Sequence, residues 1–500
     1  MEKELRRVSL VIGAMFLSLF ASSTGIQVIS ADSLTADGRN VRSVYDSYET
    51  QRGDILIDGE PIAKSVKTDD EYHYLREYTS SRYSAVTGYF SFFNGATGLE
   101  AASNDFLTGK NSSQFFEQIN ALFSGNPVTG GSVELTIDPK VQKAAWDALG
   151  DMKGAVVAID PVTGNILAMV SKPGFDANLL STHDPVEANE NYKNLLGRKS
   201  DPLINRAIGG DLYAPGSVFK LVVSAAALES GNFTPESKID NPSKFKLPGT
   251  ETYVYNSGEG TCGGRATVSL ADALRFSCNV PFAQVGIQLG QDQIRRQAEL
   301  FGFGKSISVP LKVTPSVYPR GLDDAQTALT AFGQFDVRVT PMQMVMVSAA
   351  IANKGRLMQP NLIENVLSSN LASLYAPTPS EYSRPISEKT SGLLTQMMID
   401  AVAKGVSGNA QISGVKVAGK TGTAQIKQGR TYGNLYAISF AGLAPADDPQ
   451  YVVAVMLYKS RRTASSIGAT PVFKQIMQQT LRAYRIPPST TKSREIPSEW

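Results

Sequence analysis

From Val8 to Ile29 the chain runs for 22 residues (VSLVIGAMFLSLFASSTGIQVI) without a charged side chain, and Lys3, Arg6 and Arg7 precede the run. A helix of that length crosses a hydrocarbon layer of about 30 Å, and basic flanks are retained on the cytoplasmic side. Everything after residue 29 is then expected to fold beyond a membrane. The run is longer than the about 7–15-residue apolar core of a removable signal peptide, so residues 8–29 read as an uncleaved anchor behind a cytoplasmic tail, residues 1–7. Val28-Ile29-Ser30-Ala31 would serve as a processing site, and a cleaved signal is the alternative.

Of the 500 residues, 42% are hydrophobic and 19% charged, a globular composition that excludes disorder for the bulk. The length exceeds what one hydrophobic core serves, so two or more domains are expected. A formal charge of +2 without any Lys/Arg-rich block argues against a nucleic-acid partner. His73, His183, Cys262 and Cys278 make no Cys/His zinc spacing, so neither a metal nor another cofactor is expected.

Residues 30–132 are mixed and loop-rich, with a strand and turn at 51–60, a Tyr-rich segment at 72–93 and a short amphipathic helix at 114–123. No catalytic cluster appears there, and this part reads as a supporting domain. Turn residues at 129–132 give way to the alternating strand Val133-Glu134-Leu135-Thr136-Ile137, which opens a second domain, residues 133–485. Asp138 caps a helix to about Leu149. The runs at 154–159 (GAVVAI) and 166–170 (ILAMV) flank Asp160-Pro161-Val162-Thr163-Gly164, a hairpin turn with Pro second and Gly last. Three more strand candidates follow at 414–424, 436–443 and 451–458, then a helix at about 471–484. Short links make neighbouring strands antiparallel. The fold class is therefore α+β: an antiparallel sheet with helices on both faces and an inserted helical subdomain, whose helices lie at 217–230, 269–276, 291–301, 340–352 and 387–403. Residues 486–500, rich in Pro, Ser and charge, are expected to be disordered.

The chemistry centres on Ala214-Pro215-Gly216-Ser217-Val218-Phe219-Lys220. A Pro-Gly turn leads into an apolar helix with Ser217 at its N-terminus, and Lys220, three residues on, shares its face. That sets a hydroxyl nucleophile beside an amine that can lose its proton near neutral pH when apolar neighbours enclose it. Ser-x-x-Lys recurs at Ser243, Ser413 and Ser489, but only Ser217 opens an apolar helix behind a turn.

Ser277-Cys278-Asn279 follows a helix-like stretch, and Lys420-Thr421-Gly422-Thr423 lies on a strand candidate. Ser-x-x-Lys, Ser-x-Asn and Lys-Thr-Gly in this order mark penicillin-binding proteins and related β-lactamases. Asn205-Arg206-Ala207, Gly333-Gln334, Val339-Thr340-Pro341 and Ala352-Asn353-Lys354-Gly355 extend the resemblance over about 132–484. Arg52-Gly53 and Gly98-Leu99-Glu100 are similar to the stem of class B penicillin-binding proteins. Cys278 stands where the family usually has a polar or small residue.

The resemblance implies a monofunctional, membrane-anchored D,D-transpeptidase, single-pass with an extracytoplasmic catalytic domain, inhibited by β-lactams. Its partners would be peptidoglycan stem peptides, a D-Ala-D-Ala donor and an amine acceptor, together with cell-division or elongation proteins. About a hundred stem residues are too few for the glycosyltransferase domain of the bifunctional class. Ser217 would attack the donor carbonyl while Lys220 takes its proton. Ser277 would relay a proton to the leaving amine, and Asn279 would hold Lys220 and the substrate amide. Lys420 would supply positive field, Thr421 and Thr423 would bind the terminal carboxylate, and Gly422 would let the substrate backbone approach. The N–H groups of Ser217 and Thr423 would form the oxyanion hole. A D,D-carboxypeptidase or β-lactamase would use the same residues with water as acceptor; a division scaffold or β-lactam sensor is the alternative of another class. Cys262 and Cys278, the only cysteines and both beyond the anchor, are expected either to form a disulfide behind the cleft or to stay as two buried thiols.

Overall fold

The computed structural model describes residues 2–26, 50–114, 129–258, 260–428, 431–460 and 468–489. Its first element is a 23-residue helix, Glu2–Thr24. The part Arg6–Thr24 is long and apolar enough to cross a membrane, about 28 Å at about 1.5 Å per residue, and Phe16, Leu17 and Phe20 are exposed along it. The end of the expected anchor and the possible processing site, residues 27–31, lie outside the described residues.

Six strands form the stem sheet, in the order Ser373–Tyr375, Ile363–Leu367, Ser132–Leu135, Ile55–Ile57, Glu60–Lys67 and Tyr74–Tyr78. The strand expected to open the second domain is thus in the stem. Val133 pairs parallel with Ile55 and Leu135 with Ile57, and the strand's other edge pairs antiparallel with Ile363–Leu367. Burial explains the placement. Ile55, Ile57, Val133 and Leu135 enter one core, and their backbone groups, once removed from water, need partners on both edges. The expected helix at 114–123 lies outside the described residues except for Gln114, which ends the 3-10 turn Ser112–Gln114.

The second sheet has five antiparallel strands in the order Ala418–Gln428, Thr431–Ala444, Tyr451–Ser460, Gly154–Ile159 and Ile166–Lys172, the sheet expected from the apolar runs. All six residues of Gly154–Ile159 are buried, as a strand covered on both faces requires. Alternate side chains go to opposite layers. Val156 and Ala158 meet Val141, Phe473 and Met477 from helices Pro139–Leu149 and Ala469–Ala483, while Ala155 and Val157 face the core that holds Met342 and Val345 of helix Pro341–Ala352. Asp138 caps the first of these helices through the N–H groups of Lys140 and Val141, and Thr340 caps the third through that of Gln343.

The inserted helices include Lys220–Glu229, Leu270–Arg275, Asn279–Leu289, Gln291–Leu300 and Glu388–Ala403. The start of the tail is ordered, contrary to expectation. Ile486 packs on the sheet's outer core, and Ser489 donates its N–H to Gly414 O and its hydroxyl to Asp447 while accepting from Lys416 N–H. One apolar side chain to bury and a set of backbone partners suffice to hold these residues; residues 490–500 lie outside the described ones.

Candidate active site

Ser217 is the second residue of a 3-10 turn, Gly216–Phe219, that runs into the α-helix at Lys220, and not the first residue of the α-helix itself. At three residues per turn, positions i and i+3 eclipse, which sets Ser217 and Lys220 on one side of the turn. The turn is wedged against the strand Ala418–Gln428. Gly216 has φ +57°, and a Cβ there would fall 2.6 Å from Thr423 O. Its N–H donates to Gly333 O at 3.0 Å. A Cβ at Gly422 would meet Ser439 Oγ at 2.3 Å, Pro215 O at 2.5 Å and Val218 Cγ2 at 3.0 Å. Glycine at 422 is therefore also required by the neighbouring strand and the nucleophile turn, which leave no room for a side chain there. Through Gly216 and Val218, both neighbours of Ser217 touch this strand.

Lys220 and Lys420 are among the largest fully buried side chains of the molecule. Lys220 Nζ donates to Ser277 O at 2.8 Å and to Asn279 Oδ1 at 2.9 Å. Lys420 Nζ donates to Ser277 Oγ at 2.8 Å and to Thr421 O at 3.2 Å. Ser277 is thus shared, its carbonyl held by one amine and its hydroxyl by the other. Burial, reinforced by the nearby Lys420, pushes Lys220 well below the usual lysine range. Burial brings Lys420 down to about 7. Two acceptors engage Lys220, so a neutral amine would spend both N–H donors on them and have its lone pair left for a proton.

Ser277 reaches this position through backbone strain. Helix Leu270–Arg275 is capped by Phe276 in an ordinary helical conformation, and Ser277 just beyond it sits at φ +59°, which costs a non-glycine residue roughly 1–2 kcal/mol. Bonds from Ser277 N to Leu274 O and from Cys278 N to Ala273 O close the turn. Cys278 is buried and disulfide-bonded to Cys262, which decides between the two expectations for this pair. Thr421 is buried, and Thr423 is half-buried with its carbonyl 3.5 Å from Gln334 Nε2. The structure therefore brings together the segments that carry Ser217, Lys220, Ser277, Asn279, Lys420, Thr421, Gly422 and Thr423. Asn256, which holds the backbone at Asn279, was missed because a lone Asn after a Tyr-Val-Tyr strand carries no local signal.

A serine one turn from a buried lysine, with a second lysine reached through a bridging serine, defines a class, the serine penicillin-binding transpeptidases. The chain belongs to that family: the penicillin binding protein transpeptidase domain matches residues 154–478, and the penicillin binding protein A dimerisation domain matches residues 52–133. Within the family it is a class B protein similar to peptidoglycan D,D-transpeptidase PbpA of Mycolicibacterium smegmatis, 37% identical over 494 residues, 96% of this chain and 99% of the relative. The PbpA of Mycobacterium tuberculosis H37Rv is 36% identical over the same share of each chain. The solved structure of M. tuberculosis penicillin-binding protein A as a ceftriaxone acyl-enzyme complex matches with a TM-score of 0.83 at 34% identity, covering 87% of this chain and 100% of the other.

Proposed function

We propose that this chain is a D,D-transpeptidase that cross-links peptidoglycan stem peptides through an acyl-enzyme on Ser217. The observation that carries the reading is the buried Lys220 amine, held by two acceptors and by no carboxylate among the described residues, one 3-10 turn from the Ser217 hydroxyl. In the first half-reaction Lys220 takes the Ser217 proton as Oγ attacks the carbonyl of the penultimate D-alanine. The oxyanion is met by the N–H groups of Ser217 and Thr423. Ser277, bonded to Lys420 and adjoining Lys220, passes a proton to the departing amine, so that D-alanine leaves neutral at nitrogen and the peptide stays on Ser217 as an ester. Lys420 with the Thr421 and Thr423 hydroxyls holds the terminal carboxylate of the donor. In the second half-reaction an acceptor amine attacks the ester, its proton returns to Ser217, and a peptide bond replaces the ester. β-Lactams acylate the same hydroxyl and stay on it.

The domain plan follows the same reading. Residues 1–7 are cytoplasmic, 8–29 anchor the chain as a single span, 30–135 form the stem, whose sheet also takes in Ile363–Leu367 and Ser373–Tyr375, and the rest of the chain to 485 carries the chemistry outside the membrane alongside cell-division or elongation partners. Mass spectrometry after penicillin labelling tests the centre of the proposal: the adduct is expected on Ser217, and an adduct on any other serine overturns it. Release of D-alanine with transfer of the acyl group to an added amine is the expected activity. Release with water as sole acceptor would make the enzyme a carboxypeptidase.

A further inference from the structure

The cleft is flanked by a short hairpin, Lys244–Lys246 paired with Tyr253–Tyr255, and the residue that leaves it, Asn256, is buried. Its Oδ1 accepts from the backbone N–H groups of Asn279 and Val280, both at 3.0 Å, the first two residues of helix Asn279–Leu289. Its Nδ2 faces three oxygens, Asn241 Oδ1 at 3.1 Å, Gly260 O at 3.2 Å and Pro242 O at 3.4 Å. Two donors on one side and oxygens on the other determine which end of this amide is which. Asn241, itself fully buried, donates to Cys262 O and Arg265 O at 2.7 Å each and accepts from Cys262 N–H.

Helix Asn279–Leu289 needs this outside help. Its N-cap is Cys278, which makes no side-chain capping bond because its sulfur is joined to Cys262. Orphan N–H groups of a helix start are normally satisfied by the N-cap side chain, and here Asn256 supplies the acceptor from a different strand. The preceding carbonyl, Tyr255 O, accepts from Asn279 Nδ2 at 3.1 Å. With its nitrogen engaged there, Asn279 presents Oδ1 to the Lys220 amine. Backbone and side chain of Asn279 are therefore both clamped by consecutive residues of the hairpin.

We infer that Asn256 is a positioning residue for the acylation step, acting through Asn279 on the placement of the Lys220 amine. The inference rests on the reading of Lys220 as the base. An aspartate at 256 keeps acceptors for the two N–H groups but has no donor for the three oxygens behind it, and an alanine keeps neither. Asn256→Ala is expected to slow acylation by a fluorescent penicillin by about 10- to 100-fold, the scale on which misplaced catalytic groups act, and to displace the acidic limb of the pH–rate profile. Asn256→Asp is expected to recover part of the rate. The control is Gln343→Ala, which removes another buried amide, bonded to Phe301 O far along the chain; it should lower thermal stability and leave rate and limb in place. An Asn256→Ala enzyme that is folded and acylates within about twofold of the parent, or a Gln343→Ala enzyme slowed equally, overturns the inference. The unaltered protein gives a second measurement that needs no variant: the amides of Asn279 and Val280 should exchange slowly with deuterium, and rapid exchange overturns the inference too. Lys220→Arg measured alongside separates the two readings. If it acylates normally the base reading falls, whereas a failure confined to the Asn256 variants removes the positioning role alone.

Discussion

The stem and the cleft each bury charged side chains, and they handle the cost of doing so in opposite ways. In the stem, Arg52, Arg76 and Glu100 are all buried, and Glu100 takes Arg52 on one oxygen at 2.9 Å and Arg76 on the other at 2.6 Å. Tyr78 OH adds a bond at 3.2 Å, and Arg52 lies over the Phe90 ring. Burial alone would raise the Glu100 carboxyl, but Arg76 and Arg52 outweigh it and hold the group below its usual value. In the cleft, two equally buried lysines have neutral acceptors and each other, and no ion pair among the described residues. Desolvation is then left uncompensated, and the amines become bases. A counterion makes a buried charge structural; withholding one makes it reactive.

Three substitutions probe that contrast. The largest effect is expected from Lys220→Arg, because a guanidinium cannot deprotonate: acylation should fall about 10²–10⁴-fold, the usual range for loss of a general base, as read from β-lactam labelling rates. Glu100→Gln leaves two buried guanidiniums without a counterion and should destabilise the chain by about 3–5 kcal/mol in denaturant unfolding, with acylation by the folded fraction retained. Lys420→Met should go the other way on stability. Removing an uncompensated buried charge is expected to stabilise by about 1–4 kcal/mol at neutral pH while penicillin labelling is lost.

The pH dependence of these two regions has the same sign but falls in different windows. Lys420 is near 7 when folded and near its usual 10.5 when unfolded, so between those values the unfolded chain holds a proton that the folded one lacks. Stability from this residue rises with pH across about 7 to 10.5. The advantage of Lys420→Met should shrink over the same window. Glu100 has a depressed value when folded, so its contribution is full above the unfolded value of 4.5 and is lost as the pH falls through the lower folded value. Unfolding midpoints measured across pH for the two variants would show both trends, and a Lys420→Met difference that does not vary with pH would remove the assignment of Lys420 as a depressed amine.

Much of this was legible before any coordinates. Ser217 and Lys220 are readable as a hydroxyl and an amine at the start of one apolar helix, whereas Ser277, Asn279 and Lys420 are picked out by the resemblance to the family's motifs. The central strands are readable because a strand covered on both faces, such as Gly154–Ile159, is a continuous apolar run. Ser132–Leu135 has a visible period but no indication of its partner, since alternation reports which face is buried and says nothing about which edge is paired. The 3-10 turn at Ser217 escaped because helix propensity does not distinguish three residues per turn from 3.6 over a single turn. The crowding at Gly422 by Pro215, Val218 and Ser439 has no local signal, because those residues lie elsewhere in the chain.

The parallel pairing of Ile55–Ile57 with Ser132–Leu135 also has a mechanical meaning. A pull entering at residue 50 and resisted at the catalytic end runs along both strands in opposite senses, so their hydrogen bonds are loaded together in shear and none is peeled off before the next. Ile363–Leu367, bonded to the far edge of Ser132–Leu135, spreads that load into a later part of the chain. Tension entering through residue 50 is thus met by all the hydrogen bonds of this pairing at once and passed to a segment more than two hundred residues later in the chain.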